Sequence, residues 1–360
     1  MSDPAPLAPR ITRLAPSPTG ALHLGNVRTF LINWAAARQG GWRVRLRIED
    51  LDGPRVKPEA AREAIELLHW LGMDWDGEPV YQTHDLRPYE AALAMLKSRG
   101  RVYRCPATRR EIEAAALSAP HGDEHELRYP GLYRPRQAGD GEEVGGDHAE
   151  AVSAGGGHSG GGSGGRSGGG AGEGSGGEAV IPEGVPTAWR LMVPDGPVCL
   201  EDELLGWQVH DVQRQVGDFV VWTKAGLPAY QLAVVVDDAR QGVTDVVRGD
   251  DLLRSAARQR LVYEALDRGP TPRYYHVPLV YGPDGRRLAK RHGDTRAAAY
   301  RARGVSAARV VGLMAWWCGL SSRREPMDAA GFARRFAWAN LPRDPVTFTK
   351  EDEAWLTGNG

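Results

Sequence analysis

Apolar and polar positions follow two different periods along the first hundred residues of the chain. An apolar run over 11–14 predicts a buried strand, and a Pro/Gly turn separates it from a predicted helix over 25–39. The alternation over 43–48 predicts another strand, and predicted helices follow over 58–71 and 89–98, with a glycine shortly after each. Strand and helix alternating in this order predict an α/β fold with a parallel sheet.

Sheet-like sequence returns in the second half of the chain. Strands are predicted over 217–222 and 243–247, and the continuous apolar run 232–236 is the best candidate for a strand buried on both faces. A helix is predicted over 252–266. The tail from Thr295 onward is predicted to be helical.

A glycine-rich stretch interrupts this organisation. Nineteen of the 46 glycines lie between 139 and 177, in sequence that has almost nothing to bury. Residues 139–178 are therefore predicted to be a flexible loop. The surrounding residues 105–200 break the strand–helix rhythm, and we interpret them as an inserted subdomain.

Composition and charge exclude several classes of protein. Hydrophobic residues make up 41% of the chain and charged residues 25%, which is typical of a soluble globular protein. No apolar run approaches the ~20 residues that span a bilayer, and residues 1–9 lack a signal pattern, so we expect no membrane association or export. Three distant cysteines exclude a disulfide scaffold and indicate the cytoplasm. A net charge of −1 does not indicate a general polyanion binder.

The segment from Pro16 to Asn26 joins a predicted strand to a predicted helix. The first turn of a helix offers free N–H groups and a positive dipole end, which suit a phosphate. Gly25 would let a ligand approach the backbone closely, and His23 can donate a hydrogen bond to a phosphate oxygen. From this segment alone, a tight turn with an exposed histidine is an equal alternative.

A second candidate is the glycine-flanked basic loop 285–294, which contains four Arg or Lys residues. It is either a polyphosphate clamp or a solvated surface turn, and charge runs are more often the latter. Arg248, Glu49 and Tyr230 are predicted at strand ends, where open α/β sheets bind their ligands. Position alone does not decide their role.

Taken together, these segments resemble the class I glutamyl-tRNA synthetase catalytic core over about residues 10–295. The shared motifs, in order, are Arg13-x-Ala-Pro-Ser-Pro-Thr-Gly-x-Leu-His-Leu-Gly-x-x-Arg28-Thr, Leu46-Arg-Ile-Glu-Asp-x-Asp, Val235-Val-Asp-Asp, Val247-Arg-Gly and Arg287-Leu-Ala-Lys-Arg. Within that group, the closer resemblance is to glutamyl-Q tRNA(Asp) synthetases. It is carried by Trp75-Asp-Gly-x-x-x-Tyr-Gln, Ala229-Tyr-Gln-Leu-Ala-Val-Val-Val-Asp-Asp and Gly242-Val-Thr-Asp-Val-Val-Arg-Gly-x-Asp.

The resemblance implies a Rossmann-like parallel sheet with an inserted subdomain and a helical C-terminal segment. The expected domains are the first half of the nucleotide-binding core over 10–104, the insertion over 105–200, the second half of the core with the phosphate-clamp loop over 201–295, and the helical segment over 296–360. Only 70 residues follow Lys290, whereas a full glutamyl-tRNA synthetase would carry a longer anticodon-reading tail. We therefore expect a catalytic core without an anticodon-binding domain.

The implied activity is ATP-dependent activation of L-glutamate to glutamyl-adenylate, followed by transfer to the queuosine base in the anticodon of tRNA(Asp). The enzyme would be a cytoplasmic ligase, and we expect a monomer. Adenylation needs no enzyme nucleophile, because an aligned carboxylate and a neutralised triphosphate suffice. Mg²⁺ would arrive with ATP.

The same resemblance assigns roles to individual residues. Arg13 and Arg248 match the family's carboxylate contacts, Glu49 matches the ammonium partner, and Ser17 and Tyr230 match neutral contacts. The catalytic pair would be His23 and Lys290. The expected ATP contacts are His23, Gly25, Asn26, Arg287, Leu288, Ala289, Lys290 and Arg291.

Three features depart from the family pattern. Asn26 stands where the broader class has histidine, and Ala289 replaces a serine of the basic loop. The third departure concerns zinc, which relatives often bind through Cys-x-Cys and Tyr-x-x-x-Cys. Only Cys105 and Tyr129 match here, because Ala107 and Tyr133 replace two of the three thiolates. A structural zinc site needs four ligands, so we expect none.

Two alternatives remain open at the level of sequence. A shortened glutamyl-tRNA synthetase that charges a tRNA 3′ end would share all the core motifs. A non-catalytic RNA-binding paralogue would be favoured by loss of Lys290 or His23, and both are present.

Overall fold

The structure is a computed structural model that describes residues 9–18, 22–51, 56, 58–117, 127–135, 181–286, 288 and 295–358. Its strands are β1 Ile11–Leu14, β2 Arg43–Ile48, β3 Val80–Tyr81, β4 Val102–Cys105, β5 Ala188–Leu191, β6 Val198–Asp202, β7 Gly206–His210, β8 Phe219–Trp222, β9 Asp245–Gly249, β10 Arg273–Val277, β11 Val280–Tyr281 and β12 Val346–Thr347. Its helices are α1 Leu24–Gln39, α2 Pro58–Trp70, α3 Arg87–Ser98, α4 Arg109–Leu117, α5 Val212–Gln215, α6 Tyr230–Gln241, α7 Leu253–Ala265, α8 Ala297–Ala302, α9 Ala307–Trp317, α10 Ala329–Arg335 and α11 Lys350–Thr357.

Two sheets rich in parallel pairs form the centre of the fold. One has the order β1-β2-β3 and the other β7-β6-β10-β9, with β7 as an antiparallel edge strand. They meet between β1 and β9, where Thr244 N donates to Ile11 O at 2.8 Å. From this junction the chain leads away in opposite directions, toward β2 on one side and β10 on the other. Open α/β sheets bind ligands at the carboxyl ends of strands beside such a switch point.

Helix α1 is packed against β1 and brings its own first turn to the junction. Leu24, Leu31 and Ile32 are fully buried on it, and each stabilises the fold by about 1.5–3 kcal/mol. Asn33 of the same helix donates from Nδ2 to Arg13 O at 2.9 Å and accepts from Thr12 Oγ1 at 2.8 Å. These contacts fix the end of β1 relative to the helix.

The predicted strand over 232–236 is wrong, because this segment belongs to helix α6. Residues Gln231 to Asp238 are all buried, so the helix shows no polar face that would reveal a helical period. A short, continuous apolar run is expected both for a buried strand and for a helix that is buried on all sides, so the pattern does not distinguish the two. The helix ends at Gly242, whose φ of 64° is the left-handed conformation that suits a glycine after a helix.

Strands β4, β5 and β8 form a separate antiparallel sheet, in the order β4-β5-β8. Only β5 lies within the segment predicted as an insertion over 105–200, because β4 ends at its first residue and β8 follows its end. The domain boundaries remain a prediction. The predicted glycine-rich loop 139–178 lies outside the described residues.

The C-terminal segment contains helices α8 to α11, together with the short strand β12. Strand β12 pairs in parallel with β11, and Val346 lies opposite Val280 in this pair. The pairing connects the C-terminal segment to the core. Leu313, Met314 and Trp317 of α9 are buried in the same core cluster as α1. Within the part of the chain that the structure describes, no helix has the length and hydrophobicity that a membrane span requires.

Candidate active site

A cavity of about 150 Å³ opens at the carboxyl ends of β1 and β9, beside the first turn of α1. Seven of the residues that line it are predicted site residues, namely Arg13, His23, Gly25, Asn26, Glu49, Tyr230 and Arg248. The rest of the wall is mostly apolar or small, for example Phe30, Val247 and Leu279, and it includes one further carboxylate, Asp251. The fold thus brings most of the predicted site residues into one place.

His23 is the N-cap of helix α1. Its Nδ1 accepts from Gly25 N at 3.1 Å and from Asn26 N at 3.4 Å, while Asn26 Oδ1 accepts from His23 N at 3.3 Å. This reciprocal arrangement is a capping box in which a histidine replaces the usual serine or threonine. Because Nδ1 accepts, the neutral ring carries its proton on Nε2, the atom that can donate to an anionic oxygen.

Gly25 is required by the position of the His23 ring. A Cβ at residue 25 would lie 3.0 Å from His23 Cε1 and 3.1 Å from Nδ1, so the ring would have to shift. We expect Gly25→Ala to raise the KM for ATP about fivefold, because the displaced His23 ring would lose one hydrogen bond to a phosphate oxygen, worth ~1 kcal/mol. Steady-state kinetics of ATP–pyrophosphate exchange would measure it.

Thermal unfolding supplies the control for this substitution. Alanine is a better helix former than glycine by up to about 1 kcal/mol, so Gly25→Ala should not lower the melting temperature. An unchanged KM for ATP would show that the first turn of α1 does not contact the nucleotide.

A buried network of charged side chains holds Arg13 and Glu49 in position. Arg47 is fully buried and donates from Nη1 to Asp238 Oδ1 at 2.6 Å and from Nη2 to Glu49 Oε1 at 3.1 Å. Arg13 donates from Nε to the same Asp238 oxygen at 3.3 Å. One carboxylate therefore orients two guanidinium groups, and one of these holds Glu49.

The network divides its charge unequally between the two acids. Burial raises the pKa of Glu49, although Arg47 and Arg13 act in the opposite direction. Burial would also raise the pKa of Asp238, but Arg47 and Arg13 together hold it below its usual range. Asp238 is thus the fixed anion of the network. Glu49 gives only Oε1 to Arg47, and it lines the cavity, where it can meet a cation.

Arg248 is held in a different way. It is 5% exposed, donates from Nε to His276 Nε2 at 3.0 Å and from Nη1 to Gln259 Oε1 at 2.9 Å. Its Nη2 is buried and has no hydrogen-bond partner among the described residues. A buried donor without a partner is costly, and a ligand oxygen in the cavity would satisfy it.

Neutral His276 has a measurable consequence for stability. Burial lowers the pKa of His276 from 6.5 to about 4. The unfolded chain therefore binds a proton between these values that the folded chain does not, and stability falls as the pH falls through this window. We expect the folded state to lose about 2 kcal/mol through this group between pH 7.5 and pH 5.

Urea unfolding at several pH values checks this expectation. The comparison is between the wild type and His276→Gln, which has no titrating ring. The wild type should show the steeper decline between pH 6.5 and pH 4.5. Parallel declines would mean that His276 is not buried in its neutral form.

Tyr230 and Ser17 lie less deeply than the arginines. Tyr230 is the first residue of α6 and is 40% exposed at the cavity. The prediction that it follows a strand is wrong, for the same reason as the strand over 232–236. Ser17 is exposed and is not among the residues that line the cavity.

Most of the predicted basic loop lies outside the described residues, namely Arg287, Ala289, Lys290 and Arg291. The flanking residues show where that segment begins and ends. Leu288 is buried, and its N–H donates to Val280 O at 2.9 Å. On the other side, Leu24 N donates to Thr295 O at 3.0 Å. Both ends are thus attached beside the cavity and the first turn of α1.

The predicted remnant of a zinc motif is a buried pair. Cys105 Sγ lies 3.4 Å from Tyr129 Oη, which also accepts from Tyr133 N at 3.1 Å. Among the described residues, no three His, Cys, Asp or Glu side chains are grouped as metal ligands. The absence of zinc remains a prediction.

Sequence reasoning missed the residues that support the site. Arg47 and Asp238 lay inside the quoted motifs but had no assigned role, and His276 and Gln259 were not considered. Strand β2 alternates arginines with apolar residues, and this pattern predicts an exposed Arg47, so it gave no signal that Arg47 is buried. For His276, a polar residue between Tyr275 and Val277 in a strand gave only a weak signal.

Comparison with known proteins identifies the family. Residues 11–137 and 178–355 match the family described as tRNA synthetases class I (E and Q), catalytic domain. A glutamyl-Q tRNA(Asp) synthetase from Rhodopirellula baltica is 40% identical, with 93% of this chain and 95% of that protein covered. Its counterpart from Symbiobacterium thermophilum is also 40% identical, with 96% and 98% covered. The resemblance drawn from the motifs is confirmed.

Other relatives are longer than this chain. Glutamate–tRNA ligase 2 from Chelativorans sp. is 38% identical, but the match covers 82% of this chain and 54% of that protein. The crystal structure of a glutamate tRNA ligase from Elizabethkingia meningosepticum gives a TM-score of 0.73 at 23% identity, over 97% of this chain and 69% of that one. This likeness confirms the predicted Rossmann-like α/β fold. The chain belongs to the class I tRNA synthetase family (E and Q), and it is a ligase of that family.

Proposed function

We propose that the protein activates L-glutamate with ATP and transfers the glutamyl group to the queuosine base in the anticodon of tRNA(Asp). In the first step a glutamate carboxylate oxygen attacks the α-phosphorus of ATP, and pyrophosphate leaves. In the second step the acceptor on the base displaces AMP from the glutamyl-adenylate. We further propose that it works as a monomer in the cytoplasm, a compartment that suits its three free cysteines.

The observation that carries the first step is the buried Nη2 of Arg248, which has no hydrogen-bond partner among the described residues and belongs to a side chain that lines the cavity together with Arg13 and Glu49. Glutamate has two carboxylates and one ammonium group. Two guanidinium groups and one carboxylate form the complementary set, and the planar fork of arginine suits a carboxylate better than a lysine would. An amino acid with an uncharged side chain could still accept a hydrogen bond, but it would leave the charge of one guanidinium group uncompensated.

The residues around the first turn of α1 fit the phosphates of ATP. The helix presents its positive end to the cavity, Gly25 leaves room beside the backbone, and His23 can donate from Nε2. The segment that contains Lys290 starts and ends next to these residues, so its ammonium group is a candidate to neutralise the triphosphate. Mg²⁺ would be held mainly by phosphate oxygens and water and would spread the charge of the leaving pyrophosphate.

The choice of acceptor rests on the comparisons. Three of the relatives called glutamyl-Q tRNA(Asp) synthetases match this chain over 93–96% of its length and 94–98% of their own. The glutamate–tRNA ligases match at similar identity but over about half of their length. Charging of a tRNA 3′ end, as the names of those ligases state, is therefore the second candidate.

Two assays test the proposal in sequence. ATP–pyrophosphate exchange with glutamate, glutamine or aspartate, each with and without tRNA, tests the first step, and we expect exchange only with glutamate. Transfer of labelled glutamate to tRNA(Asp) with and without queuosine tests the second step. Label on both tRNA samples would favour 3′-end charging, and exchange with none of the amino acids would favour a non-catalytic paralogue.

A further inference from the structure

Three neighbouring parallel strands each contribute one buried polar residue behind the cavity. Arg248 on β9 and His276 on β10 face each other in the register of the two strands, and Asp202 ends the adjacent strand β6. Arg248 is 5% exposed, His276 0% and Asp202 1%. The three side chains form a chain of hydrogen bonds that runs from the cavity into the sheet.

Hydrogen bonding fixes the form of the His276 ring. Arg248 Nε can only donate, so His276 Nε2, at 3.0 Å, must accept and cannot carry a proton. The ring proton therefore lies on Nδ1, which is 2.6 Å from Asp202 Oδ2. Asp202 is itself fixed, because its Oδ1 accepts from Leu204 N at 3.0 Å and from Leu205 N at 2.9 Å.

The two arginines of the cavity are thus held by opposite means. Arg13 shares a carboxylate, Asp238, which compensates its charge. Arg248 is hydrogen-bonded to an imidazole nitrogen and to the amide oxygen of Gln259, both neutral, and its ion pair with a carboxylate is absent among the described residues. Neutral acceptors set the direction of a guanidinium group without cancelling its charge. Arg248 has no carboxylate in contact among the described residues and interacts with Asp238 only through space, so it keeps more of its attraction for an anionic ligand than Arg13 does.

We propose that Asp202 and His276 are positioning residues that aim Arg248 while leaving its charge uncompensated, and that they thereby set the selectivity for a carboxylate over a carboxamide side chain in the amino acid. This inference rests on the proposed activation of glutamate. Neither residue contacts the substrate, since both act through Arg248.

Asp202→Asn is the sharpest test, because it changes which nitrogen of the His276 ring carries the proton. The asparagine Oδ1 can still accept from Leu204 and Leu205, but its NH₂ group would face His276 Nδ1 and donate to it, and the backbone N–H of His276 would lose the Oδ2 acceptor that lies 3.2 Å away. The proton would then lie on Nε2, opposite the N–H of Arg248. We expect kcat/KM for glutamate to fall at least about tenfold, mainly through KM, with the KM for ATP changed less than about twofold.

Two substitutions of His276 separate geometry from charge. His276→Gln offers an amide oxygen to Arg248, and we expect it to stay within about threefold of the wild type. His276→Glu places a carboxylate on Arg248 and should lower the ratio of kcat/KM for glutamate to that for glutamine at least about tenfold. A residue that served stability alone would not change this ratio.

Asp211→Asn is the matched control, because Asp211 caps α5 through Arg214 N in the same chemical way, outside the cavity. All four variants are assayed as full-length protein by ATP–pyrophosphate exchange, with thermal unfolding to verify folding. The ¹⁵N shifts of the His276 ring report the protonated nitrogen directly and independently of activity.

The outcomes distinguish the inference from the proposed function. A wild type without glutamate-dependent exchange would overturn the proposed function and, with it, the selectivity assigned here. An active wild type with the ring proton on Nε2, or an Asp202→Asn variant with wild-type KM and selectivity, would overturn the inference alone. A proton on Nδ1, with selectivity lost in Asp202→Asn and His276→Glu and kept in His276→Gln and Asp211→Asn, would establish it.

Discussion

Replacing Arg248 by glutamine should lower kcat/KM for glutamate at least about 100-fold while the KM for ATP changes less than about twofold. The substitution removes a charge-assisted hydrogen bond to the substrate, worth about 1.5–3 kcal/mol. It also disturbs the buried partners His276 and Gln259, so a total of about 3 kcal/mol, or two orders of magnitude, is expected. ATP–pyrophosphate exchange at varied glutamate concentration measures the effect.

Arg248→Lys is the control that keeps the positive charge but removes the planar guanidinium group. Lysine keeps the positive charge but lacks the planar fork, and it cannot make the contacts to His276 and Gln259 together with one to the substrate. Its kcat/KM should lie between those of the wild type and Arg248→Gln. If Arg248→Gln retained wild-type KM for glutamate, the carboxylate would bind elsewhere in the cavity.

Replacing Asp238 by alanine should destabilise the folded protein by about 3–5 kcal/mol. Asp238 is 3% exposed and orients both Arg13 and Arg47, and its removal leaves buried charges without their shared partner. Asp238 also holds Arg47 in position beside Glu49, so we expect the same change to abolish activation of glutamate. Urea unfolding gives the stability, and exchange under conditions where the variant is folded gives the activity.

An exposed ion pair provides the comparison for Asp238. Asp85→Asn removes the carboxylate partner of Arg87, whose side chain is 86% exposed, and exposed pairs contribute at most about 1 kcal/mol. We expect little change in either stability or activity. Similar losses for Asp238→Ala and Asp85→Asn would mean that the buried network does not hold the site together.

Sequence patterns predicted the first strands and helix of the core closely, but they missed strands β6 and β10 of the second sheet and mistook the type of one helix. The strands at the start of the chain and the helix α1 were expected within a residue or two, because alternation and helical spacing are visible when one face is polar. Helix α6 was mistaken for a strand, because burial of Gln231 to Asp238 removes that contrast. The short strand β12 in the tail was missed, since two residues carry no period.

The residues of the candidate site likewise fall into those that the sequence predicts and those that it does not. The residues proposed to contact the ligand stand in motifs, and most of those that the structure describes line one cavity. The residues that hold them do not form local patterns. Asp238 is 225 positions from Arg13 and 191 from Arg47, and His276 is 74 positions from Asp202. Only the pairing of distant strands and helices makes such contacts, so the sequence does not reveal them.

The most direct test of the proposed function is the position of the label on the tRNA. Labelled glutamate and ATP are supplied with tRNA(Asp) that contains queuosine and whose 3′-terminal adenosine has been removed enzymatically. An identically trimmed tRNA without queuosine is the control. The account predicts label on the trimmed, queuosine-containing tRNA, in the fragment that holds the anticodon, and none on the control. Label that appears only on untrimmed tRNA would contradict it and identify the protein as an enzyme that charges the 3′ end.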